Sequence, residues 1–167
     1  MSTYLTKLPH ITTFVLDVDG VLTDGKVYIT PDNKIMRSMN TKDGLAIKRA
    51  VDRGYRVVII SGGRDENILP RLKNLGVRDI FLHVDHKLPV LIDFLKHESI
   101  DPAQVAYMGD DIPDIPPMEY VGLAACPANA APEVKETAHW IVPVNGGEGC
   151  VRRLIESVLR LRNDWFR

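Results

Sequence analysis

Four carboxylates stand in two close pairs, each at the end of a short apolar run. Asp17 and Asp19 follow the run FVL, and Asp110 and Asp111 follow the run VAYM. Both runs are typical of buried parallel strands, and open α/β sheets bind their ligands at the carboxyl ends of such strands. Carboxylates brought together at that edge repel one another unless a hard cation such as Mg²⁺ neutralises them. A single Asp-x-Asp after a strand is common loop chemistry, so the metal-site hypothesis depends on both pairs.

Four patterns, which include the two acidic pairs, occur in a familiar order and spacing. The loop DVDGV begins at Asp17, the strand VVII leads into Ser61-Gly62, Lys87 opens a predicted helix, and GDDIPD covers 109–114. Together they resemble the four motifs of the haloacid dehalogenase superfamily, most of whose members are phosphatases. The resemblance extends over 13–149 and implies the Rossmann-like fold of that superfamily.

The resemblance implies phosphate ester hydrolysis through an aspartyl-phosphate. Asp17 would be the nucleophile, and Asp19 would protonate the departing alkoxide and later deprotonate the hydrolytic water. A residue that acts first as acid and then as base needs a carboxylate near the leaving group that is not pinned to the cation. Ser61 and the amide of Gly62 would hydrogen bond the phosphoryl oxygens. Lys87 would supply positive charge against the developing anion.

The resemblance also implies that Mg²⁺ is the cofactor. Its protein ligands would be Asp17, Asp110 and the main-chain carbonyl of Asp19. Asp111 would act through water or by holding a neighbour, and Asp114 would orient the groups around the metal.

A narrower resemblance indicates a phosphorylated sugar acid as substrate. The segment NTKDG and the residues SGGR look similar to segments of phosphatases that act on 3-deoxy-D-manno-octulosonate 8-phosphate, in lipopolysaccharide precursor synthesis. Arg64 and Arg71 are predicted to anchor the substrate carboxylate, because guanidinium groups bind carboxylates bidentately. The predicted substrate-binding residues are Asp19, Asn40, Thr41, Lys42, Asp43, Gly44, Lys48, Gly62, Arg64, Arg71 and Lys87.

One alternative substrate and two alternative functions are compared with this hypothesis, and the substrate alternative stays open. At position 148 a Glu replaces the Arg typical of the phosphatases of the eight-carbon sugar, and in this the chain is similar to phosphatases of nine-carbon nonulosonate 9-phosphates. Gly63-Arg64, in contrast, favours the eight-carbon sugar. A catalytically idle regulatory or structural domain is disfavoured because Asp17, Asp19, Lys87 and Asp110 are all intact. A phosphoacceptor domain of the response-regulator type would lack Asp19.

Composition places the chain among ordinary globular proteins. With 167 residues, it is expected to form one domain over 1–167, and 45% hydrophobic and 26% charged residues are typical of such domains. The net charge of −1 and the absence of charge runs disfavour a nucleic-acid or membrane partner. No apolar stretch resembles a membrane span or a signal-peptide core, and Cys126 and Cys150 fit no metal or disulfide pattern. A cytoplasmic protein is expected.

Strand and helix patterns alternate, which predicts a Rossmann-like three-layer α/β fold with a central parallel sheet. A β-hairpin is predicted over 26–39, and 146–167 forms a C-terminal segment. About 23 residues separate Gly20 from Asp43, too few for a cap domain. The resemblance then implies a homotetramer in which hairpins meet and a neighbouring chain helps to cover each site. The other predicted strands are 14–16, 57–60, 80–82, 105–108, 121–125 and 140–142, and the predicted helices are 45–54, 65–75, 87–97, 117–120, 130–136 and 150–161.

Overall fold

The structure, a computed structural model, describes residues 4–166. Within these residues, eight strands lie in one large and one small sheet, and seven α-helices connect or cover them. The strands are β1 Thr13–Leu16, β2 Tyr28–Ile29, β3 Ile35–Met36, β4 Arg56–Ile60, β5 Asp79–Phe81, β6 Val105–Met108, β7 Leu123–Pro127 and β8 Trp140–Val142. The helices are α1 Tyr4–Lys7, α2 Thr41–Asp52, α3 Leu69–Asn74, α4 Lys87–His97, α5 Ile115–Tyr120, α6 Pro132–Thr137 and α7 Cys150–Leu161.

Six parallel strands form the central sheet in the order β5-β4-β1-β6-β7-β8. β1 lies near the middle and pairs with both β4 and β6, so that Leu16 lies beside Ile59 on one side and Met108 on the other. The predicted Rossmann-like fold is therefore confirmed. Its consequence for the site is that the loops after β1, β4 and β6 begin side by side.

The sheet separates two hydrophobic cores because side chains alternate along each strand. Phe14 and Leu16 of β1 face a core shared with α2, α3 and α7, whereas Val15 faces a core shared with α4, α5 and α6. Residues buried on both faces explain why these strands read as continuous apolar runs. Helices on both faces complete the three predicted layers. None of the helices in residues 4–166 has the length and apolarity needed to cross a membrane.

Several predicted boundaries shift by one to four residues, and α1 is not among the predicted elements. β5 begins one residue earlier than predicted, β7 begins two residues later, and α6 begins at Pro132 instead of residue 130. The helix predicted over 45–54 covers Thr41–Asp52, because Asn40 caps a helix that begins four residues before the first apolar position of the pattern. The region around Pro70 is divided into a 3-10 turn over Glu66–Ile68 and the short helix α3. Pro70 lies in the first turn of α3, where a missing backbone N–H is tolerated.

The predicted hairpin forms, but its paired strands are only two residues each. Tyr28 pairs with Met36 and Ile29 with Ile35 in the antiparallel ladder. All four side chains are exposed, and Ile29 reaches 72% exposure. The paired strands of the hairpin therefore present their apolar residues to solvent instead of packing them into the core.

The described C-terminal residues lie at the amino end of the sheet. The Arg49 Nε donates to the carbonyl of Asp164 at 2.8 Å, and the Tyr55 hydroxyl donates to its carboxylate at 2.9 Å. The Arg49 guanidinium also stacks over Phe166. The end of α7 and the residues after it therefore lie away from the loops that carry the acidic pairs.

Candidate active site

A cavity of about 380 Å³ opens at the carboxyl edge of the central sheet. It is lined by residues of all four predicted motifs, which confirms that the fold brings the two acidic pairs together. The lining residues are Asp17, Asp19, Gly25, Ser61, Gly62, Gly63, Val84, Asp85, Lys87, Asp110, Asp111, Pro113 and Asp114.

Asp17 lies at the floor of this cavity, directly after β1. Its backbone N–H donates to the carbonyl of Met108 at 3.1 Å, which extends the pairing with β6 by one residue. One carboxylate oxygen accepts from the Val18 amide at 2.7 Å, and the other lies 2.8 Å from the Lys87 ammonium. Asp17 and Lys87 are both buried, so a single orientation of the carboxylate is held against two fixed partners.

Asp114 organises the groups around Asp17, and its own side chain is fully buried. One oxygen accepts from the Lys87 ammonium and from the Tyr107 hydroxyl, both at 2.7 Å. The other accepts from the backbone amides of Asp110 at 3.0 Å and Asp111 at 3.3 Å. This one carboxylate therefore fixes both the lysine and the loop that carries the second acidic pair.

Gly109 permits this arrangement. A side chain at Gly109 would overlap the Cβ and carboxylate of Asp114. The close approach of the loop to Asp114 therefore requires the glycine of the GDDIPD segment. Tyr107, two residues before this glycine, donates its hydroxyl hydrogen bond to Asp114.

Charge is unbalanced within this cluster, because three carboxylates share one lysine. Burial and the neighbouring Asp114 raise the pKa of Asp17 to about 6, despite the attraction of Lys87. Burial, Asp17 and Asp114 raise the pKa of Asp110 to about 7. Burial lowers the pKa of Lys87, but the two carboxylates beside it outweigh burial and raise it overall.

The donor set fits a hard divalent cation. Oxygen atoms of Asp17, Asp110 and Asp114 lie within 4.8 Å of one another, and Oδ1 of Asp110 is buried without a hydrogen-bond partner among the described residues. A buried carboxylate oxygen without a partner is costly unless a cation or water satisfies it. Gly20, at φ +80°, leaves the space beside Asp110 open, since a side chain there would overlap the Asp110 carboxylate.

Asp19 lines the same cavity but lies outside this three-carboxylate group, and it is held by a residue that the sequence did not indicate. The Arg37 Nε donates to Asp19 Oδ1 at 2.6 Å, and Nη2 donates to Oδ2 at 3.2 Å. The third nitrogen, Nη1, donates to Asp65 at 2.9 Å. Arg37 follows β3, and no pattern in the sequence connects that position with the acidic loop.

Ser61 and Gly62 follow β4 and border the same cavity. The Ser61 side chain is buried, and its hydroxyl accepts from the Gly63 amide at 3.1 Å. This hydrogen bond fixes the turn, while the hydroxyl proton stays available as a donor.

The segment after the hairpin supports the site from behind instead of lining the cavity. The Asn40 side chain caps α2 by accepting from the Lys42 amide at 2.9 Å, and its Nδ2 donates to the Gly147 carbonyl at 3.2 Å. Asp43 is buried, and its Oδ1 accepts from the Arg152 amide in the first turn of α7 at 2.7 Å. Burial raises the pKa of Asp43 to about 6 even though the Arg152 amide lowers it. The structure thus gives both residues a role in anchoring the C-terminal segment.

The remaining predicted substrate-binding residues are also outside the cavity lining. Thr41 and Lys42 are exposed at the start of α2, and Lys48 pairs with Asp52 on the exposed face of that helix. Arg64 is exposed beside the cavity, and Arg71 lines a neighbouring groove of about 510 Å³ between the hairpin and α3. Gly44 is buried, and any side chain there would overlap the Arg71 guanidinium. Contact of these residues with substrate stays a prediction.

The C-terminal glycine segment braces the loop after β1. The Gly147 amide donates to the Val21 carbonyl at 3.0 Å, and the Gly146 amide donates to Asn129 Oδ1 at 2.9 Å. The Cys150 thiol also donates to the Val21 carbonyl, at 3.3 Å. Glu148 is exposed on this segment, within 3.3 Å of Asn145 Nδ2.

Comparison with known proteins agrees with this geometry. A family model described as haloacid dehalogenase-like hydrolase matches residues 79–154. The 3-deoxy-D-manno-octulosonate 8-phosphate phosphatase of Salmonella typhi is 35% identical over 155 residues, which are 93% of this chain and 82% of that protein. The corresponding protein of Yersinia pestis is 32% identical over 153 residues, 92% of this chain and 82% of that protein.

Solved structures agree as well. The crystal structure of the Yersinia pestis phosphatase superposes with a TM-score of 0.94 at 30% identity, over 98% of this chain and 88% of that chain. The Moraxella catarrhalis phosphatase, solved in complex with magnesium, phosphate and KDO, superposes with a TM-score of 0.93 at 29% identity, over 98% of this chain and 94% of that chain. This chain therefore belongs to the 3-deoxy-D-manno-octulosonate 8-phosphate phosphatase family of haloacid dehalogenase-like hydrolases.

Proposed function

We propose that this chain is a Mg²⁺-dependent phosphatase that hydrolyses 3-deoxy-D-manno-octulosonate 8-phosphate to the free sugar acid and phosphate. The step belongs to lipopolysaccharide precursor synthesis. The observation that carries the proposal is the buried Asp17 carboxylate, 2.8 Å from Lys87 and opening on the same cavity as Asp19. An idle domain would have no need to maintain so many buried charges in one cavity.

The reaction divides into two steps at Asp17. In the first, the Asp17 carboxylate attacks phosphorus, the P–O bond to the sugar breaks, and Asp19 gives its proton to the departing alkoxide. In the second, Asp19 takes a proton from water, which attacks phosphorus and releases Asp17 and inorganic phosphate. Lys87, Ser61 and the Gly62 amide stabilise the phosphoryl oxygens in both transition states.

Asp17 and Asp110 would hold Mg²⁺, together with the main-chain carbonyl of Asp19. The fit rests on the unpartnered Asp110 Oδ1 and on the shortage of positive charge around it. Asp114 is less suited to direct coordination, because both its oxygens already accept two hydrogen bonds. When bound, Mg²⁺ neutralises the carboxylates so that the phosphate dianion can approach them.

Two isosteric substitutions test the chemistry. With Asp17→Asn, we expect phosphate release to be abolished and no acid-stable phosphoryl-enzyme to form, because the nucleophile is absent. With Asp19→Asn, we expect turnover of the sugar phosphate to fall by about 10²–10⁴-fold, because the alkoxide leaves without a proton. Asp93→Asn, on the exposed face of α4, is the matched control. Near wild-type phosphate release from the Asp17 variant would contradict the covalent mechanism.

A substrate panel tests the identity of the sugar. The exposed Glu148 favours a nine-carbon nonulosonate 9-phosphate, whereas Gly63-Arg64 favours the eight-carbon sugar, and we expect higher kcat/KM for the eight-carbon ester. The reverse order would assign the chain to the nine-carbon sugars without affecting the proposed mechanism.

We further propose that the chain acts as a cytoplasmic homotetramer assembled through its hairpins. Support for assembly comes from the exposed apolar side chains of the hairpin, which form a patch of Val27, Tyr28, Ile29, Ile35 and Met36. Support for the compartment comes from Cys126 and Cys150, which are buried free thiols.

A further inference from the structure

Arg37 differs from the paired residues of the hairpin because its side chain turns inward. Its neighbour Met36 is exposed, whereas the Arg37 side chain is only 11% exposed. Its guanidinium lies between two carboxylates, donating two hydrogen bonds to Asp19 and one to Asp65. The planar fork of arginine matches a carboxylate in this bidentate geometry, which a lysine does not reproduce.

The two carboxylates that Arg37 contacts, Asp65 and Asp19, differ in how firmly other groups hold them. Asp65 is itself fixed, because its other oxygen accepts from the Asn67 amide at 3.0 Å in the turn before α3. Asp19, by contrast, has a side chain that is 37% exposed. Among residues 4–166, Arg37 is the side chain that hydrogen bonds the Asp19 carboxylate, so its removal would free the carboxylate to rotate.

The location of Asp19 relative to the other acids gives this restraint a chemical meaning. Asp17, Asp110 and Asp114 cluster closely enough to share a cation, and Asp19 does not join that cluster within the described residues. An acid–base catalyst serves the leaving group only if its carboxylate is kept off the metal. Arg37, which follows β3, holds the Asp19 carboxylate toward the hairpin and apart from the cluster.

We propose that Arg37 is a positioning residue that orients Asp19 for proton transfer to the leaving group. This inference rests on the proposed function, because it assumes the acid–base role of Asp19. It makes the hairpin part of the catalytic apparatus, since the position of β3 sets that of Arg37.

Leaving groups of different basicity provide the test. We compare kcat/KM for a sugar phosphate and for p-nitrophenyl phosphate, because kcat/KM reports the steps up to phosphoryl-enzyme formation. An alkoxide needs a proton, whereas p-nitrophenolate leaves without one. Arg37→Ala should therefore lower kcat/KM about 100-fold for the sugar phosphate and less than about threefold for the aryl ester. Arg37→Lys should fall between, and Lys34→Ala, which removes another hairpin cation, should match the wild type.

A double-mutant cycle separates action through Asp19 from any other effect. In an Asp19→Asn background, Arg37→Ala should change kcat/KM for the sugar phosphate less than about twofold. Equal losses on both esters, or a full additional loss in the Asp19→Asn background, would overturn the proposal. If Asp19→Asn shows a leaving-group effect but Arg37→Ala does not, the positioning role alone fails. If Asp19→Asn shows no such effect, the acid–base assignment fails and the inference falls with it.

Discussion

The two sides of the active-site cavity are built in different ways. On the sheet side, Asp17, Lys87 and Asp114 are buried, and each is fixed by hydrogen bonds to strand ends or to one another. On the hairpin side, Asp19 is partly exposed and is held by Arg37, which reaches in from an exposed two-stranded ribbon.

This difference corresponds to two chemical tasks. Transfer of the phosphoryl group is the same for every phosphate ester, and a rigid, desolvated set of charges suits it because no reorganisation is needed during reaction. The leaving group differs from substrate to substrate, and under the proposed mechanism it departs on the hairpin side, which is carried by a small element with few core contacts. The proposed mechanism thus keeps the invariant chemistry in the core and the variable chemistry at the surface.

Breaking the sheet side should have the largest effect. Asp114→Ala leaves Lys87, Tyr107 and two backbone amides without their acceptor, although Asp114 itself is not expected to touch substrate. We expect a loss of about 3–5 kcal/mol in the free energy of unfolding and at least about 100-fold in kcat. Urea denaturation and steady-state kinetics measure both, with Asp93→Asn as the control. A stable, fully active variant would contradict the central role of Asp114.

Breaking the hairpin side should spare the core chemistry. Val27→Asp combined with Ile29→Asp places charges on the exposed apolar patch, so light scattering should report species smaller than a tetramer. These species should retain phosphoryl-enzyme formation but lose about tenfold or more of their preference for the sugar phosphate over a small ester. Leu161→Asp alters an equally exposed apolar residue on α7 and should change neither property. A selective, fully active monomer of the wild type at assay concentrations would refute the assembly proposal.

The two exposed arginines sharpen the same comparison. Within residues 4–166, Arg64 and Arg71 have no acidic partner, so their guanidinium groups are available for a substrate carboxylate. Replacing either by Ala should raise KM about tenfold for the sugar acid phosphate and barely for an ester without a carboxylate. Equal losses on both esters would instead indicate a phosphate-binding or structural role.

Without Mg²⁺, the excess of carboxylates over cations on the sheet side should make the free energy of unfolding depend on pH. Without metal, burial and the neighbouring carboxylates raise the pKa of Asp17 to about 6 and that of Asp110 to about 7. The folded protein therefore binds more protons than the unfolded chain from the ordinary aspartate pKa up to these values. The free energy of unfolding of the metal-free protein should therefore fall as pH rises through that range.

Mg²⁺ binds the deprotonated carboxylates, so its stabilising effect should grow over the same pH range. At roughly 100-fold excess over its Kd, we expect Mg²⁺ to raise Tm by at least about 5 °C near pH 8 and by clearly less near pH 5. Asp110→Asn should abolish this difference. Asp43→Asn, which removes another carboxyl of raised pKa, should preserve it. A Mg²⁺ effect independent of pH would exclude these carboxylates as its site.

The elements that place Asp17 and Lys87 could be predicted from the sequence, because their patterns are local. The strand Val105–Met108 and the helices Lys87–His97 and Cys150–Leu161 have the predicted bounds. Buried strands flanked by turns, and helices with a regular apolar stripe, carry their signal within a few residues. The order of the motifs then places their loops at one sheet edge.

The contacts that complete the site could not be predicted in this way. Arg37 reaches Asp19 through the tertiary placement of the hairpin, and nothing local distinguishes it from an exposed strand arginine. The segment beginning at Asn40 resembles a substrate-binding motif, yet Asn40 and Asp43 anchor the C-terminal segment. The contact between Tyr107 and Asp114 did leave a signal in the sequence. A tyrosine in a fully buried strand requires a hydrogen-bond acceptor nearby.

The central position of β1 also bears on how the chain acquires its activity during synthesis. β1 pairs with β6, whose residues lie about ninety positions further along the chain, so closing this pair is a long-range, entropically costly event. The earlier pairing of β1 with β4 leaves one edge of β1 open until β6 has emerged from the ribosome. Asp17 meets Asp110, which follows β6, only after that edge closes. A growing chain therefore carries its proposed nucleophile, Asp17, long before it has a complete phosphatase site.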